Sequence, residues 1–573
     1  MKKTILISLL LVIALLLPAC ANTETVTIIE EKNFVCSFIV TQLNEEQKIN
    51  VAFNTEENLT KLEVLITHGE QTVAEKSFSA DELSEKNVNI DAYYGKHNLN
   101  LKAYSENGLV AESKTTVSLS ASEYIIAPIS GSMPQLYFTL NIKEITNDGA
   151  TPAFVWLARP ESWNWDNLPQ NVYAMPTVSL DSILNGSYED MINAADEYIE
   201  ELYSINPASR FNLYINDFNS YLYLKLLAGN GIPESNYYVT LLSDGGASYK
   251  AFNDAFNPDD ESFDADAKYA DMAEKLNTLY GEVATEKDYY YSDIFSVDTT
   301  EFRQYTYVAA KEKSNVEWWI LRPREGVLCS PDADFINTVL TTDKTEGIIE
   351  ERNFANPLKA MTDEEKSELK ALYNFNNEMF NAADEQNKKA MMILGSWATA
   401  ENEPDFESYV KLVKAYYGDE FVYYYKGHPN TPTSNHPEKQ KQLEELGLID
   451  VESSINAELI LFFYPDIYMC GYNSSTFLSV ESKEMACAIF NMTAEAANAN
   501  EGMSGYKDLI ALYVSKIDGE SQYASLCGNA IESCFLVEFN DYVDTEADFA
   551  IFDASASTFT YYIANGTSFE KLA

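Results

Sequence analysis

The sequence is poor in positive charge and in histidine. Its 573 residues include 39 lysines and arginines against 89 aspartates and glutamates, which gives a formal net charge of −50, and it has only four histidines. Nucleic acids and anionic lipids are recognised through clustered positive charge, so neither is predicted as a partner of the protein surface. An anionic ligand would need a local pocket with its own hydrogen-bond donors.

Cysteine is also scarce, with seven residues in the chain and no CxxC pair. The spacings lack a zinc pattern, so no metal site is predicted. If Cys20 is lipidated, six cysteines remain, and an exported protein can pair such residues. We expect at most one or two disulfides, and we expect Cys470 and Cys487, which lie in apolar surroundings, to be core residues.

Long apolar runs are absent except at the N-terminus. Two lysines precede an apolar stretch from Ile5 to Leu17, which is too short for a membrane span. The letters LPAC that follow resemble a bacterial lipobox. They predict a signal peptide over residues 1–19 and lipidation of Cys20. The protein is then expected to be exported and lipid-anchored to the bacterial cell membrane or outer membrane, facing outside the cytoplasm.

Strand patterns dominate the first part of the chain. Short runs such as TVTIIE, NFVCSFIV and INVAFN alternate apolar and polar residues, and turn signals such as EEQK and SENG separate them. Seven or so strands in about 100 residues predict a β-sandwich of immunoglobulin or fibronectin type over residues 20–124. The stretch GKHNLNLKAYSENGLVAESKTTV predicts its closing hairpin. His68 and His97 are expected to be exposed turn or strand-edge residues.

Strands alternate with helices from about residue 125 onwards. RFNLYIND is typical of a buried strand, and SYEDMINAADEYIEELYSI has apolar residues at helical spacing. This alternation predicts a doubly wound parallel sheet. A second strand–helix series opens at AMMILGSW, so we predict an α/β protein with Rossmann-like lobes at residues 125–388 and 389–573, the second including a C-terminal tail. Residues 361–390 are expected to be helical, with Thr362 as the N-terminal cap.

Polar residues stand where the predicted strands end. Asp244 lies in LLSDGG, Trp397 in LGSW, His428 in YKGHP, and Ser474 with Ser475 in GYNSST. Each has an ordinary explanation, because DGG is typical of a turn, HP of a strand end and NSST of a helix cap. Ligands of open α/β sheets bind beyond the carboxyl ends of the strands. The shared position of these residues therefore predicts a site in a central cleft between the two lobes.

The same segments resemble bacterial sialyltransferases of glycosyltransferase family 80, which have the two-lobed GT-B fold. The resemblance covers roughly residues 125–545. It rests on SDGGASY (243–249) for the family's Asp-Asp-Gly motif, on the intact Lys426-Gly427-His428-Pro429, on the serine pair in PDIYMCGYNSSTFLS, and on Glu458 in NAELI.

The resemblance implies a transferase that moves sialic acid from CMP-sialic acid to a galactoside-type glycan acceptor with inversion. Asp244 would deprotonate the acceptor hydroxyl, and His428 would hydrogen-bond or protonate the leaving nucleotide phosphate. Trp397 would contact the acceptor. The implied donor-binding residues are Ser474 and Ser475 at the phosphate, Glu458 at the ribose, Lys426, Gly427 and Pro429 at the base, and Asn216.

The chemistry suits these residue types. A sugar hydroxyl is a poor nucleophile, so a placed carboxylate must take its proton as the new bond forms. Hydroxyls, backbone N–H groups and an imidazole N–H can stabilise the charge that develops on a leaving phosphate. No DxD-type metal clamp is visible near the proposed phosphate site, so no metal or other cofactor is predicted, and the CMP-sugar is the donor substrate.

Two features depart from the family pattern. Ser243 stands where the motif has its first acid, and residues 255–385 match poorly, so acceptor specificity is not carried over. Two alternatives remain open. One is a lipid-anchored, two-lobed binding lipoprotein for a sugar or another solute, because activated nucleotide sugars are made in the cytoplasm. The other is a GT-B transferase that uses a different CMP-activated ulosonic acid.

Overall fold

The structure is a computed structural model, and its described residues fall into two compact units. The first unit comprises Met1–Glu123 with Glu197–Ser209, and the second comprises Tyr124–Asp196 with Arg210–Ala573. The described residues are 26–29, 36–69, 71–175, 188–217, 222–245, 248–249, 252, 255–256, 262–285, 299–321, 349–395, 406–407, 410, 413–414, 418–429, 432–472, 474, 476, 486–490, 511–515, 521–525, 534–536, 549–553, 558–565 and 568–571.

The first unit contains two antiparallel sheets, as the alternating sequence pattern predicts. Their strand orders are β1-β2-β3-β6 and β5-β4-β7-β8. In β2, β3, β4, β6 and β7 buried residues alternate with more exposed ones, and Phe38, Val51 and Leu101 are among the buried ones, so one face of each sheet forms the core. The immunoglobulin or fibronectin type remains a prediction. The strands are β1 (Val26–Ile29), β2 (Cys36–Leu43), β3 (Lys48–Thr55), β4 (Leu59–His68), β5 (Gln71–Ser79), β6 (Asn87–Asp91), β7 (Gly95–Ser105) and β8 (Gly108–Leu119).

The predicted closing hairpin is present, but the expected exposure of its histidine, His97, is wrong. Strands β7 and β8 pair antiparallel from Gly95 opposite Leu119 to Ser105 opposite Gly108. His97 is 0% exposed, because β7 lies between β4 and β8 and this residue is on its core-facing side. Its Nε2 lies 2.6 Å from the carbonyl oxygen of Tyr93. His68, at the end of β4, is half-buried, with Nδ1 3.0 Å from the Lys96 carbonyl oxygen.

The second unit opens with a sheet of seven strands in the order β11-β10-β9-β12-β13-β14-β15. The pairings of β9 with β10 and of β12 with β13 are parallel. The chain order reverses between β9 and β12, as it does in Rossmann-type sheets. The strands are β9 (Glu123–Ile129), β10 (Ala153–Leu157), β11 (Val172–Ala174), β12 (Arg210–Asn216), β13 (Tyr237–Leu242), β14 (Val316–Ile320) and β15 (Ile349–Glu351).

A second parallel sheet follows, with the order β18-β17-β16-β19-β20 and the same kind of reversal between β16 and β19. Its strands are β16 (Lys389–Leu394), β17 (Phe421–Lys426), β18 (Ile449–Val451), β19 (Tyr468–Tyr472) and β20 (Ala486–Phe490). Further strands pair antiparallel within two groups: β21 (Ala511–Ser515) with β22 (Ser521–Ser525), and β23 (Cys534–Leu536), β24 (Phe549–Asp553), β25 (Thr558–Asn565) and β26 (Ser568–Lys571).

Helices connect the strands of both parallel sheets. They are α1 (Ser132–Leu140), α2 (Ile142–Ile145), α3 (Tyr188–Ile205), α4 (Leu222–Leu226), α5 (Ala265–Thr285), α6 (Thr299–Glu312), α7 (Ala355–Ala360), α8 (Asp363–Leu372), α9 (Asn381–Glu385), α10 (Pro437–Leu446) and α11 (Ala457–Phe463). Two Rossmann-type sheets, together with the two antiparallel sheets of the first unit, confirm the predicted fold class. None of the helices in the described part of the chain is long and apolar enough to cross a bilayer.

Two local predictions have mixed outcomes. Thr362 caps α8 through a capping box with Glu365, as predicted. The single helix expected over residues 361–390 is wrong, because the chain leaves the helix at Asn374, which adopts a left-handed φ of 48°. Cys470 is buried, as is Cys36, whereas the side chain of Cys487 lies outside the described residues.

The burial of His97 predicts acid sensitivity of the first unit. Burial lowers the pKa of His97 to about 4, although its contact with the Tyr93 carbonyl acts in the opposite direction. In the unfolded chain its pKa is about 6.5, so between these values the unfolded state binds more protons. The free energy of unfolding should therefore fall as the pH drops from about 6.5 to about 4, by about 3 kcal/mol at most.

Amide hydrogen exchange of β7 and β8 measures this effect within the first unit. Protection in the wild type should decrease between about pH 7 and about pH 5, after correction for the intrinsic exchange rate. His97→Gln, which keeps a donor for Tyr93 but does not titrate, should lose most of this pH dependence. An equal pH dependence in both proteins would contradict the assignment.

Candidate active site

The carboxylate of Asp244 lies at the carboxyl edge of the first parallel sheet. Asp244 follows β13 and is half-buried. A Cβ atom added to Gly131, which follows β9, would lie 2.6 Å from Oδ1 of Asp244. In the sheet order, β12 lies between β9 and β13, so the carboxylate reaches across the end of β12. Gly131 has a φ of 89°, which adds a conformational reason for glycine there.

The loop that carries Asp244 is held by buried hydrogen bonds. The Asp244 backbone N–H donates to Oδ1 of Asp217 at 3.3 Å. Ser243, which replaces the motif's first acid, is fully buried, and its Oγ accepts the Gly245 N–H at 3.0 Å. Asn216, predicted on the donor side, is the last residue of β12 and is also buried. Thus Asn216 and Asp244 follow neighbouring strands at one sheet edge.

Lys426 fixes the turn that follows β17 in the second sheet. It is buried, and its Nζ donates to the carbonyl oxygens of Gly427 at 3.0 Å and Ser453 at 2.7 Å. Burial lowers the pKa of Lys426 to about 7, with Glu458 acting in the opposite direction. The two carbonyl contacts hold the backbone just before His428, which is half-buried together with Pro429.

Glu458, Thr476 and Ser474 form a hydrogen-bonded chain beside this turn. Glu458, in the first turn of α11, is buried, and its Oε1 accepts the Thr476 hydroxyl at 2.9 Å. The Ser474 hydroxyl donates to Thr476 Oγ1 at 3.1 Å. Burial raises the pKa of Glu458, and the Thr476 hydroxyl and Lys426 act in the opposite direction. Predicted ribose and phosphate ligands are thus connected through a threonine that sequence reasoning missed.

Arg159 is a second residue that sequence reasoning missed, and its charge acts on residues at the edges of both parallel sheets. It follows β10, is half-buried, and donates from Nη1 to the Ser132 hydroxyl at 2.7 Å. Burial lowers the pKa of Arg159, and the carboxylate of Asp244 acts in the opposite direction. Its only signal in the sequence is a basic residue at a strand end, in a chain with few basic residues.

The same arginine influences His428 in the second sheet. Burial lowers the pKa of His428 to about 3, and the positive charges of Arg159 and Lys426 lower it further in the same direction. Arg159 is therefore electrostatically coupled to Asp244 in one sheet and to His428 in the other. At neutral pH the imidazole is uncharged, and it can donate one N–H to a ligand.

Three predicted residues, Ser475, Trp397 and Cys20, lie outside the described residues. The other predicted site residues gather at two strand-end edges: Asn216 and Asp244 in the first sheet, and Lys426, Gly427, His428, Pro429, Glu458 and Ser474 in the second. Within the described part of the chain, no group of three or more His, Cys, Asp or Glu side chains could hold a metal ion.

Neither a protein-family model nor a curated protein matches the sequence. Among solved structures, the chain is similar to the 2,6-sialyltransferase of Photobacterium sp. JT-ISH-224 with CMP and lactose, with 14% identity, 75% of this chain and 84% of that chain covered, and a TM-score of 0.46. The sialyltransferase of Photobacterium damsela is 13% identical, with 81% of this chain and 94% of that chain covered and a TM-score of 0.47. The α/β-galactoside α-2,3-sialyltransferase of Photobacterium phosphoreum is 12% identical, with 68% of this chain and 95% of that chain covered and a TM-score of 0.46. Similarity at this level carries no information on substrate, so function is inferred from this chain's own residues.

The contact between Asp244 and Gly131 generates a prediction. In Gly131→Ala the new methyl group would displace the Asp244 carboxylate, and we expect the rate of any reaction that uses this carboxylate to fall about tenfold or more. Gly231→Ala is the matched control, because Gly231 also has positive φ, 72°, but no atom lies within 4 Å of its added Cβ. Both variants should lose about 1 kcal/mol of stability from backbone strain. Equal reaction rates in the two variants would refute the steric role of Gly131.

Proposed function

We propose that this protein is a glycosyltransferase that moves sialic acid from CMP-sialic acid to a hydroxyl of a galactoside-type glycan, with inversion. One observation carries the proposal: Asp244 follows β13 at the carboxyl edge of one parallel sheet, His428 follows β17 at the carboxyl edge of the other, and the charge of Arg159 acts on both. A base and a leaving-group donor on facing strand ends suit a direct displacement, in which the acceptor attacks as the nucleotide departs.

Asp244 is the base of the proposed reaction. Its carboxylate is half-buried, so it remains reachable by a substrate, and its backbone is anchored to Asp217. As the acceptor oxygen forms its bond to the sugar, the carboxylate takes the hydroxyl proton. The sugar–phosphate bond breaks on the opposite face, which is why the anomeric centre inverts.

His428 receives the leaving phosphate. The uncharged imidazole donates an N–H to a phosphate oxygen, and Ser474 adds a hydroxyl. The bound phosphate's negative charge offsets the positive charges of Arg159 and Lys426, which lower the pKa of His428. Donor binding therefore raises the pKa of His428, and protonation of the departing phosphate becomes easier as its charge grows.

The remaining residues bind the nucleoside of the donor. Glu458 can accept ribose hydroxyls through its second oxygen, while the backbone around Gly427 and Pro429 contacts the base, as the motif resemblance implies. Asn216 lies on the first sheet near the transferred sugar, and Ser475 and Trp397 keep their proposed roles at phosphate and acceptor. Arg159, Lys426 and His428 supply the positive and donating groups, so the proposed reaction uses no metal or cofactor.

Calorimetry with CMP tests the donor site. The wild type should bind CMP saturably, and His428→Ala should weaken binding about tenfold or more, because a charge-assisted hydrogen bond contributes about 1.5–3 kcal/mol. Asp244→Ala, on the acceptor side, is the matched control and should bind CMP as the wild type does. A wild type that binds free sugar or another solute but not CMP would favour the lipid-anchored binding lipoprotein.

Transfer to a galactoside acceptor tests the reaction with the same proteins. Asp244→Ala and His428→Ala should each lose about 100-fold or more in rate. The transfer rate of His428→Gln should be about ten times that of His428→Ala, because the amide can still donate an N–H. Wild-type rates in either alanine variant would refute that residue's role. Transfer from another CMP-activated ulosonic acid, but not from CMP-sialic acid, would mean that the donor sugar is not sialic acid.

We also propose that Cys20 is the lipidated residue that attaches the exported chain to a membrane, as the lipobox indicates. Cys20→Ser should move the protein from the membrane fraction to the soluble fraction of a bacterial host. Cys36→Ser is the matched control, because it makes the same substitution at a buried cysteine of the first unit, and it should leave the protein in the membrane fraction. Membrane attachment of Cys20→Ser would contradict the lipid anchor.

A further inference from the structure

A second carboxylate lies directly behind the loop of Asp244. Asp217 follows β12 and is 0% exposed. Its Oδ1 accepts the Asp244 backbone N–H at 3.3 Å and the Ser248 hydroxyl at 2.7 Å. Its Oδ2 accepts the indole N–H of Trp318 at 3.1 Å. One buried side chain therefore accepts hydrogen bonds from the loop, from the segment after the loop and from β14.

A carboxylate in this position is costly unless donors surround it, because a buried charge loses its hydration. The three donors compensate Asp217 from three parts of the chain. Its backbone is also held, since the Thr306 hydroxyl of α6 donates to the Asp217 carbonyl oxygen at 2.6 Å. The carboxylate is held by its three donors independently of this main-chain bond, and it can serve as a rigid point for the loop.

The position of Asp217 also bears on Ser243, which stands in the loop where the family motif has its first acid. Ser243 is buried, and its Oγ accepts the Gly245 N–H, so position 243 contributes a short internal bond rather than a carboxylate. The second acid near Asp244 is instead Asp217, which directly follows the neighbouring strand β12. On the other side of Asp244, Gly131 leaves room for its carboxylate. The backbone of Asp244 is therefore held from one side, and its side chain is accommodated on the other.

We propose that Asp217 is a positioning residue for the base Asp244, holding its backbone so that the carboxylate stays above Gly131. This inference rests on the proposed function, because it assigns Asp217 a role in proton removal from the acceptor. Asp217 does not contact the substrate. It acts through the N–H of Asp244, and a displacement of the base by about 1 Å can slow a reaction about 100-fold.

Asp217→Asn weakens this support with little change in size, because a neutral amide is a weaker acceptor than a carboxylate. An amide has one accepting oxygen and one NH₂ group, so it cannot accept all three hydrogen bonds, and its NH₂ must face a donor. Apart from Asn216, the residues of the proposed donor site lie on the second sheet, whereas the Asp217 carboxylate accepts its hydrogen bonds from residues in and around the first sheet. The rate of the catalytic step should therefore fall, while the affinity for the nucleotide should stay the same.

The test compares purified wild type, Asp217→Asn and Thr306→Val in transfer kinetics and CMP calorimetry. Thr306→Val is the matched control, because it removes the bond to the Asp217 carbonyl and leaves the carboxylate untouched. We expect Asp217→Asn to lower kcat about 10- to 100-fold, with donor KM and CMP Kd changed by less than about twofold. Thr306→Val should change kcat by less than about threefold.

Ser248→Ala provides a second variant that removes only one bond to the carboxylate, and its kcat should lie between those of Asp217→Asn and the wild type. Equal kcat values for Asp217→Asn and Thr306→Val overturn the inference. So does a loss of CMP affinity in Asp217→Asn as large as its loss of kcat. If Asp217→Asn does not fold, a wild-type kcat in Ser248→Ala overturns it. A wild type that transfers no sugar refutes the proposed function itself, together with this inference.

Discussion

Positive charge held away from water at the carboxyl ends of two parallel sheets is the constraint on which the site depends. Lys426 is 3% exposed, and burial lowers its pKa to about 7. A chain with a net charge of −50 cannot attract an anion through its overall field. Recognition of a nucleotide phosphate, as proposed, therefore depends on Arg159 and Lys426 acting at short range, where the surrounding protein weakens solvent screening. Lys426 has a second role, since its bonds to two carbonyl oxygens shape the turn that carries His428.

Close approach of the backbone is the second requirement of the site. Gly131 leaves room for the Asp244 carboxylate. Gly471, in β19, has a φ of 126°, and a Cβ there would overlap the backbone of Leu394 in β16. The strand that leads to Ser474 can therefore pack tightly against the central strand of its sheet. Gly131 lies against Asp244, and Gly471 precedes Ser474 by three residues, so in each sheet a glycine permits close packing near a proposed site residue.

Much of the architecture follows from local patterns, and the errors have identifiable causes. Apolar runs predict the buried strands of both sheets, and Thr362 with the acids after it predicts the start of α8. The expected exposure of His97 is wrong because a histidine on the core side of a central strand has the same local sequence as one at an edge. The single helix over residues 361–390 is wrong because Asn374 adopts a left-handed conformation, which asparagine tolerates without requiring it.

The sequence by itself determined the strand ends, and with them the candidates Asp244, His428 and Ser474, because the carboxyl edges of parallel strands are where ligands bind. Only the tertiary structure decided which other side chains meet these residues. Arg159 influences His428, and Asp217 anchors Asp244, although neither pair is close in sequence. The uncharged state of His428 was likewise outside the reach of sequence. A pKa depends on burial and on the distances between charges, and both are set by folding rather than by the order of residues.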